Sequence, residues 1–137
     1  MIKYKKFIKE CENSGQFNYW QMFEIRYGFE NGLSIEQIKL YANPKFGSWQ
    51  MKEIRLGFEQ GLTIEQIQVY TDPDFDYEQM EEIRWGLKQD DFTIEQVKVY
   101  ANPKFSWSQM RLIREFIINN KDMSIDTLKF LIQLEVL

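Results

Sequence analysis

The chain has 137 residues, 44% hydrophobic and 16% aromatic, which predicts an ordered globular domain. Its formal net charge of -4 argues against nonspecific binding to nucleic acid, which requires cationic side chains that neutralise phosphates. There is no histidine and only one cysteine, Cys11, so the commonest general base, the commonest metal ligand and an internal disulfide are all excluded.

Residues 2–13 are predicted to form an amphipathic helix, and the segment 13–15 is predicted to end it. One face of this helix carries Tyr4, Phe7, Ile8 and Cys11. The basic N-terminus is not followed by the apolar run of a signal peptide, and no stretch approaches the roughly 18 apolar residues of a membrane span. We therefore expect a cytoplasmic protein in which residues 1–15 form an N-terminal cap, standing where the second helix of a repeat would stand.

Four copies of one segment follow, each marked by a Gln-Met pair. The glutamines are Gln21, Gln50, Gln79 and Gln109, so the steps between copies are 29, 29 and 30 residues. A period of this length is typical of helical repeat arrays. The sequence predicts an all-α fold of tandem helix-turn-helix (helical hairpin) repeats, stacked as a short solenoid or compact right-handed array with N- and C-terminal capping helices. The predicted repeats span 17–45, 46–74, 75–104 and 105–137 of a single domain, 1–137.

Each copy is predicted to begin with a long helix, here called helix A. The N-cap residues are Asn18, Gly47, Asp76 and Ser106, each followed three positions later by the glutamine of a capping box. Phe17 and Met22 form a predicted hydrophobic staple, and equivalent pairs recur in the other copies. Gly28 interrupts the helix interior at a cost of about 1 kcal/mol. Because it recurs at Gly57 and Gly86, we expect another backbone to approach closely there.

A short second helix, helix B, is predicted to follow a tight turn. Gly32 and Gly61 fit the left-handed position that ends helix A, and the third copy has Asp90-Asp91 there instead. The N-cap residues of helix B are Ser34, Thr63 and Thr93. Asn43-Pro44 and its equivalents end helix B, because a residue before proline disfavours helical backbone.

The fourth copy departs from this pattern. Phe116 replaces the helix glycine, and no proline follows helix B. A longer apolar helix is predicted instead, with Leu128, Phe130, Leu131, Ile132, Leu134 and Leu137. This helix is interpreted either as a terminal cap or as the interface of a homodimer.

Recurring charges admit a functional and a structural interpretation. An arginine occupies one position in all four copies: Arg26, Arg55, Arg84 and Arg114. These side chains could form a ladder for phosphate or carboxylate, or ion pairs between repeats, and the structural role is favoured. The proposed partners are Glu36, Glu65 and Glu95 of helix B.

No cofactor, metal or catalytic residue is predicted. Asp72, Asp74 and Asp76 lie close together in one linker, but the glycine and the closing glutamate of a calcium loop are missing. Cys11 lies on an apolar helix face, which favours a buried thiol over a nucleophile. The carboxylates recur in register, as a scaffold places them, and the chain is predicted not to be an enzyme.

Aromatic residues that differ between copies are the candidates for a partner-binding face. On the side of helix A away from the core, the candidates are Trp20, Phe23, Tyr27, Trp49, Lys52, Leu56 and Trp85, with Trp107 in the fourth copy. Tryptophan and tyrosine are favoured anchors of protein interfaces. Packing between repeats is the alternative interpretation of the same residues.

The repeated motif resembles a tandem repeat of Firmicutes and of their phages and mobile elements. The motif reads Gln-Met-x-Glu-Ile-Arg-x-Gly, then Glu-Gln-(Ile/Val), then Tyr-Ala-Asn-Pro-Lys-Phe, and the resemblance covers about residues 17–110. It implies a prokaryotic or phage protein of the bacterial cytoplasm, of an accessory or inhibitory kind. It carries no activity and no catalytic residues.

Together these features predict a non-enzymatic protein–protein interaction module. With the resemblance, the hypothesis becomes a phage or mobile-element inhibitor that occludes a host protein, such as a defence nuclease. A nucleic-acid-binding regulator of the helix-turn-helix type is a less favoured alternative, since the charges are acidic in total and evenly mixed. A structural scaffold that dimerises is the other.

Overall fold

The computed structural model describes residues 2–134, with side chains from Tyr4 onward. This part of the chain is entirely helical, with nine helices and no strands, as the sequence predicts. The helices are α1 (Ile2–Ser14), α2 (Tyr19–Glu30), α3 (Ile35–Tyr41), α4 (Ser48–Glu59), α5 (Ile64–Gln68), α6 (Tyr77–Lys88), α7 (Ile94–Lys98), α8 (Trp107–Asn119) and α9 (Ile125–Gln133). None of these helices has the length and apolarity needed to cross a membrane. Leu137 of the predicted C-terminal helix lies outside the described residues.

Helix α1 packs in the antiparallel direction against α2. Tyr4 stacks on Phe29 with ring centroids 5.1 Å apart, and Phe7 meets the same ring edge-on at 5.8 Å. These contacts bring the start of α1 to the end of α2, and Cys11 is buried farther along the same face. The chain reverses through Gly15, whose φ of +67° lies in the left-handed region that favours glycine.

The long helices begin where the sequence predicts, because local capping determines their first residue. In α2, Asn18 Oδ1 accepts a hydrogen bond from Gln21 N, and Gln21 Oε1 accepts one from Asn18 N, both at 2.8 Å. The same reciprocal box begins α6 and α8. Gly47 has no side chain to offer α4, so only Gln50 contributes, accepting from Gly47 N at 2.7 Å.

Helices α2, α4, α6 and α8 lie side by side in chain order, each in contact with the next. Gln21, near the start of α2, bonds to Phe46 just before α4, whereas Asn31, at the end of α2, bonds to Glu59 at the end of α4. Neighbouring long helices are therefore parallel. Their buried stripe is the predicted one, since Met22, Ile25 and Phe29 of α2 and the equivalent residues of α4 and α6 are all buried.

The helix glycines accommodate a side chain of helix B, not a neighbouring backbone, which corrects the prediction. A Cβ atom added to Gly28 would overlap the hydroxyl of Tyr41 and the Cδ1 atom of Ile38. The hydroxyl donates a 2.7 Å hydrogen bond to the carbonyl oxygen of Glu24, one turn before the glycine. Tyr70 and Tyr100 make the same bond in the next two copies, to the carbonyls of Glu53 and Glu82. Each tyrosine thereby holds the segment that follows a long helix against that helix.

The arginines form ion pairs between copies, but their predicted partners were wrong. Arg84 Nε lies 2.8 Å from Glu53 Oε2, and both residues are almost fully buried. The equivalent bonds join Arg55 to Glu24 and Arg114 to Glu82. Helix B's Glu36, Glu65 and Glu95 are exposed. The true partners lie on the preceding helix A, because parallel long helices bring their arginine and glutamate positions to the same level.

At the C-terminus, α9 contributes one fully buried residue, Leu128. Ser124 Oγ accepts from Thr127 N at 3.1 Å and so caps the helix. Phe130 and Leu134 remain 58% and 55% exposed. The apolar surface expected on this helix is therefore present, and the homodimer remains a prediction.

Candidate binding groove

A groove runs between the outward faces of α2 and α4. The burial of Met22, Ile25 and Phe29 determines which face of α2 turns away from the core, and that face carries four aromatic residues. They are Tyr19, Trp20, Phe23 and Tyr27, with exposed fractions of 69%, 61%, 41% and 38%. Because so much aromatic surface is exposed to water, covering this face would be favourable in free energy.

The aromatic rings on α2 support one another. Phe23 stacks on Tyr27 with centroids 5.4 Å apart, and Trp20 meets Phe23 edge-on at 6.2 Å. Tyr19 meets Trp20 edge-on at 5.0 Å. These geometries are favourable for aromatic pairs and order the rings before any partner binds.

Helix α4 forms the opposite wall. Trp49 is 58% exposed, and the ammonium nitrogen of Lys52 lies 5.0 Å from the centroid of its ring. Leu56 is half-buried farther along the same wall. The groove has a volume of about 740 Å³ and is lined by six of the eight residues predicted from the sequence, namely Trp20, Phe23, Tyr27, Trp49, Lys52 and Leu56.

The ion pair between the two helices forms the floor of the groove. Arg55 donates from Nε to Glu24 Oε2 at 2.6 Å and from Nη1 to Glu59 Oε2 at 2.7 Å. Its guanidinium carbon lies 4.6 Å from the ring centroid of Tyr27. Burial alone would lower the pKa of Arg55, but the hydrogen bonds to both glutamates outweigh it and raise this pKa, so Arg55 stays ionised. The charges of Lys52 and Arg55 balance those of the two glutamates.

Trp85 and Trp107, the other two predicted residues, lie outside this groove. Arg111 of α8 places its guanidinium carbon 5.9 Å from the ring of Trp85 and 5.0 Å from the ring of Trp107. Arg114 also lies 5.6 Å from the ring of Trp85, which is half-buried. These two tryptophans therefore belong to a separate cluster around arginines of the fourth copy.

The sequence analysis missed two exposed aromatic residues of the same face. Tyr77 is 41% exposed, and its ring lies 5.5 Å from that of Trp49, so it extends the aromatic surface from α4 to α6. Tyr19 extends it at the start of α2. Both are the first residue of a long helix, a position that also holds Trp107. An aromatic residue directly after the N-cap in three of four copies was the available signal.

The groove offers apolar contact area with a neutral floor and one half-buried cation, Lys52, on its wall. Within residues 2–134, no group of three or more carboxylates or thiols is arranged to hold a metal ion. Asp72 and Asp76 instead accept hydrogen bonds from the backbone of Asp74 and Gln79, as turn and cap residues do. No family model, curated protein or solved structure matches this chain.

Proposed function

We propose that this protein is a protein-binding module and that its groove takes an amphipathic helix of the partner. The observation that carries the proposal is the apolar lining of both walls of the groove: Trp20, Phe23 and Tyr27 on α2, and Trp49 with Leu56 on α4. A volume of about 740 Å³ lies within the range of specific binding sites. Two parallel helices with a furrow between them provide the groove that a helix fills with residues at i, i+3 or i+4, and i+7.

The charges in the groove favour a protein over a nucleic acid. Exposed aromatic rings also stack on the bases of single strands, but such sites combine the rings with a basic channel for the phosphates. Here Glu24 and Glu59 neutralise Arg55, which leaves Lys52 as the one cation of the groove lining outside an ion pair. A polyanion would gain little from this surface, whereas an apolar stripe would bury its aromatic area.

A repeat array is the proposed architecture behind the groove. Three bonds support it, because each recurs at equivalent positions: glutamine to the following linker, arginine to the preceding helix A, and tyrosine to the helix carbonyl of its own hairpin. We infer four hairpins stacked as a short solenoid or compact right-handed array, closed by α1 and α9. Such arrays bind partners along an extended face.

The resemblance to phage and mobile-element repeats suggests the kind of partner. The proposal is that the partner is a host protein, for example a nuclease of a defence system, and that binding occludes its working surface. Occlusion requires affinity and no chemistry from this chain. The aromatic groove can supply that affinity through a few desolvated anchors.

Selection from a peptide-display library on the full chain tests this function. The groove variant Trp20→Ala/Phe23→Ala/Trp49→Ala serves for counter-selection. The control variant Trp107→Ala/Leu112→Ala/Phe130→Ala removes equally exposed apolar residues outside the groove. Circular dichroism checks that both variants are folded, which is expected because all six side chains are exposed.

We expect the enriched peptides to carry apolar residues at helical spacing. They should bind the control variant as they bind the unaltered chain, and lose at least about tenfold in affinity for the groove variant. Equal binding to the groove variant would exclude the groove. An electrophoretic mobility shift with single-stranded oligonucleotides at low salt, absent from the groove variant, would favour the nucleic-acid alternative instead.

A further inference from the structure

Three glutamine side chains each hold the linker that leads into the next copy. Gln21 Nε2 donates to Phe46 O at 2.7 Å and to Pro44 O at 3.3 Å. Equivalent pairs of bonds join Gln50 to Pro73 and Phe75, and Gln79 to Pro103 and Phe105. In every case the acceptors are the carbonyls of a Pro-x-Phe segment, two residues apart. Each of these segments forms a turn, in which the phenylalanine N–H donates to the carbonyl of the residue before the proline, so the amide recognises a Pro-x-Phe turn.

The fourth copy presents the same amide without a linker to hold. Gln109 Oε1 accepts from Ser106 N at 2.8 Å, so the capping box orients this side chain as it does the other three. The chain continues into α9 and supplies no further Pro-x-Phe segment. Within the part of the chain that the structure describes, Gln109 Nε2 has no hydrogen-bond acceptor, and the residue is exposed.

A second groove, of about 530 Å³, opens at Gln109 between the last linker and α9. Its lining includes the apolar residues Val99 and Ile132 and three lysines, Lys98, Lys104 and Lys129. Within residues 2–134, no carboxylate is among its lining residues and none of the salt bridges involves these lysines. The groove is thus electropositive, unlike the neutral aromatic groove.

We propose that this second groove binds an acidic peptide from another protein that forms a turn of the Pro-x-Phe type. Gln109 would donate to two backbone carbonyls of the peptide, as its counterparts do inside the chain, and the lysines would attract its acidic side chains. The segment Asp72-Pro73-Asp74-Phe75 is an internal precedent, because this acidic stretch docks on Gln50. Gln21, Gln50 and Gln79 already hold the three Pro-x-Phe segments of residues 1–137, so none of these segments is left for Gln109.

The site is independent of the aromatic groove and of the function proposed for it. It lies on α7, α8 and α9 and shares no lining residue with the groove between α2 and α4. A peptide that binds here therefore leaves the resonances of Trp20 and Trp49 unchanged, which distinguishes the two sites in one titration.

Nuclear magnetic resonance titration of the full ¹⁵N-labelled chain tests the proposal. The probe is a blocked peptide with the sequence of residues 71–77, which carries three aspartates, and the matched peptide has the sequence of residues 42–48, which carries one lysine. We expect the acidic peptide to shift the side-chain amide of Gln109 and the backbone amides of Lys98 and Lys129. The matched peptide should bind about tenfold more weakly, since it lacks the charges that pair with the lysines.

Gln109→Glu is the decisive variant. Glutamate keeps the oxygen that accepts from Ser106 N, so the capping box persists, but it removes both N–H donors. Gln96→Glu makes the same change in the capping box of α7, outside the groove, and adds the same charge. Binding should be lost in Gln109→Glu and retained in Gln96→Glu. Undiminished binding to Gln109→Glu, equal affinity for both peptides, or shifts confined to α2 and α4 would overturn the proposal.

Discussion

Replacing Gly86 by alanine should destabilise the protein, although alanine is the better helix former. In an open helix interior the change stabilises by about 1 kcal/mol. Here the added Cβ would overlap the hydroxyl oxygen of Tyr100, a fully buried residue whose hydroxyl donates a 3.2 Å hydrogen bond to Glu82 O. Overpacking of this kind costs about 1–3 kcal/mol, and displacement of the ring also loses the hydrogen bond. We expect Gly86→Ala to lower the free energy of unfolding by about 1–3 kcal/mol.

In a protein that lacks the Tyr100 hydroxyl, Gly86→Ala should raise the free energy of unfolding instead of lowering it. Tyr100→Phe alone should cost about 1 kcal/mol for the lost hydrogen bond, because Glu82 O keeps its helical donor. In Gly86→Ala/Tyr100→Phe the nearest remaining atoms outside Tyr100 belong to Phe92, at 3.2 Å, so the alanine fits after a small adjustment. The double variant should then be about as stable as the unaltered protein, which corresponds to a coupling energy of about 2–4 kcal/mol.

The second copy supplies a control with the opposite expectation. At Gly57 an added Cβ would overlap Ile67 Cδ1 as well as the hydroxyl of Tyr70. Gly57→Ala/Tyr70→Phe should therefore remain destabilised until Ile67→Val is added, because valine lacks the Cδ1 atom, as Val97 does in the third copy. Urea unfolding followed by circular dichroism measures all of these variants. Additive effects of Gly86→Ala and Tyr100→Phe would refute the steric explanation.

Further predictions concern the buried charges and tyrosines. Arg84→Met should cost about 3–5 kcal/mol by leaving Glu53 buried without its partner, whereas Glu53→Leu/Arg84→Met should be neutral or more stable in urea unfolding. Burial raises the pKa of Glu53 above its ordinary 4.5, although Arg84 opposes this. The folded chain therefore takes up the proton first, and the stability of the unaltered protein relative to Glu53→Gln should rise as the pH falls through the folded pKa. Burial also raises the pKa of Tyr70 above 10.0, so its stabilising effect should be complete below that pH and should decline above it. Alkaline unfolding should show this decline in the unaltered protein and not in Tyr70→Phe; parallel profiles would contradict it.

Local rules predicted the helices well because they act within a few residues. The start of α2 follows from Asn18 and Gln21, and the left-handed turn at Gly32, with φ of +88°, follows from its missing Cβ. Six residues of the candidate groove were also predicted, since the core stripe of a helix determines its opposite face. Trp85 and Trp107 were grouped with them because a helical wheel shows the direction of a side chain around one helix but not the distances between residues on different helices.

The contacts between helices were harder to predict, although sequence differences between the copies indicate which residues pair. Glu24, Glu53 and Glu82 recur in the three copies that have a following arginine, and the fourth copy, which has none, carries exposed Leu112 at that position. The glutamate is thus present only in copies that are followed by another arginine, which indicates that each glutamate pairs with the arginine of the next copy. At the other end, Arg26 has no preceding helix A, and Glu12 of α1 takes that place at 3.1 Å.

The glycine and the tyrosine disappear together in the same way. Phe116 stands where the first three copies have glycine, and Leu131 stands where they have Tyr41, Tyr70 and Tyr100. In the first three copies, a Cβ at the glycine position would overlap the tyrosine hydroxyl. Leu131 has no hydroxyl, so a residue with a side chain, Phe116, is tolerated at the glycine position of the fourth copy. By the same reasoning Gln109, which kept its side chain while losing its linker, is the exception among these pairs. The capping box explains the oxygen of this amide, and within residues 2–134 its nitrogen has no acceptor, so it is available to the peptide proposed above.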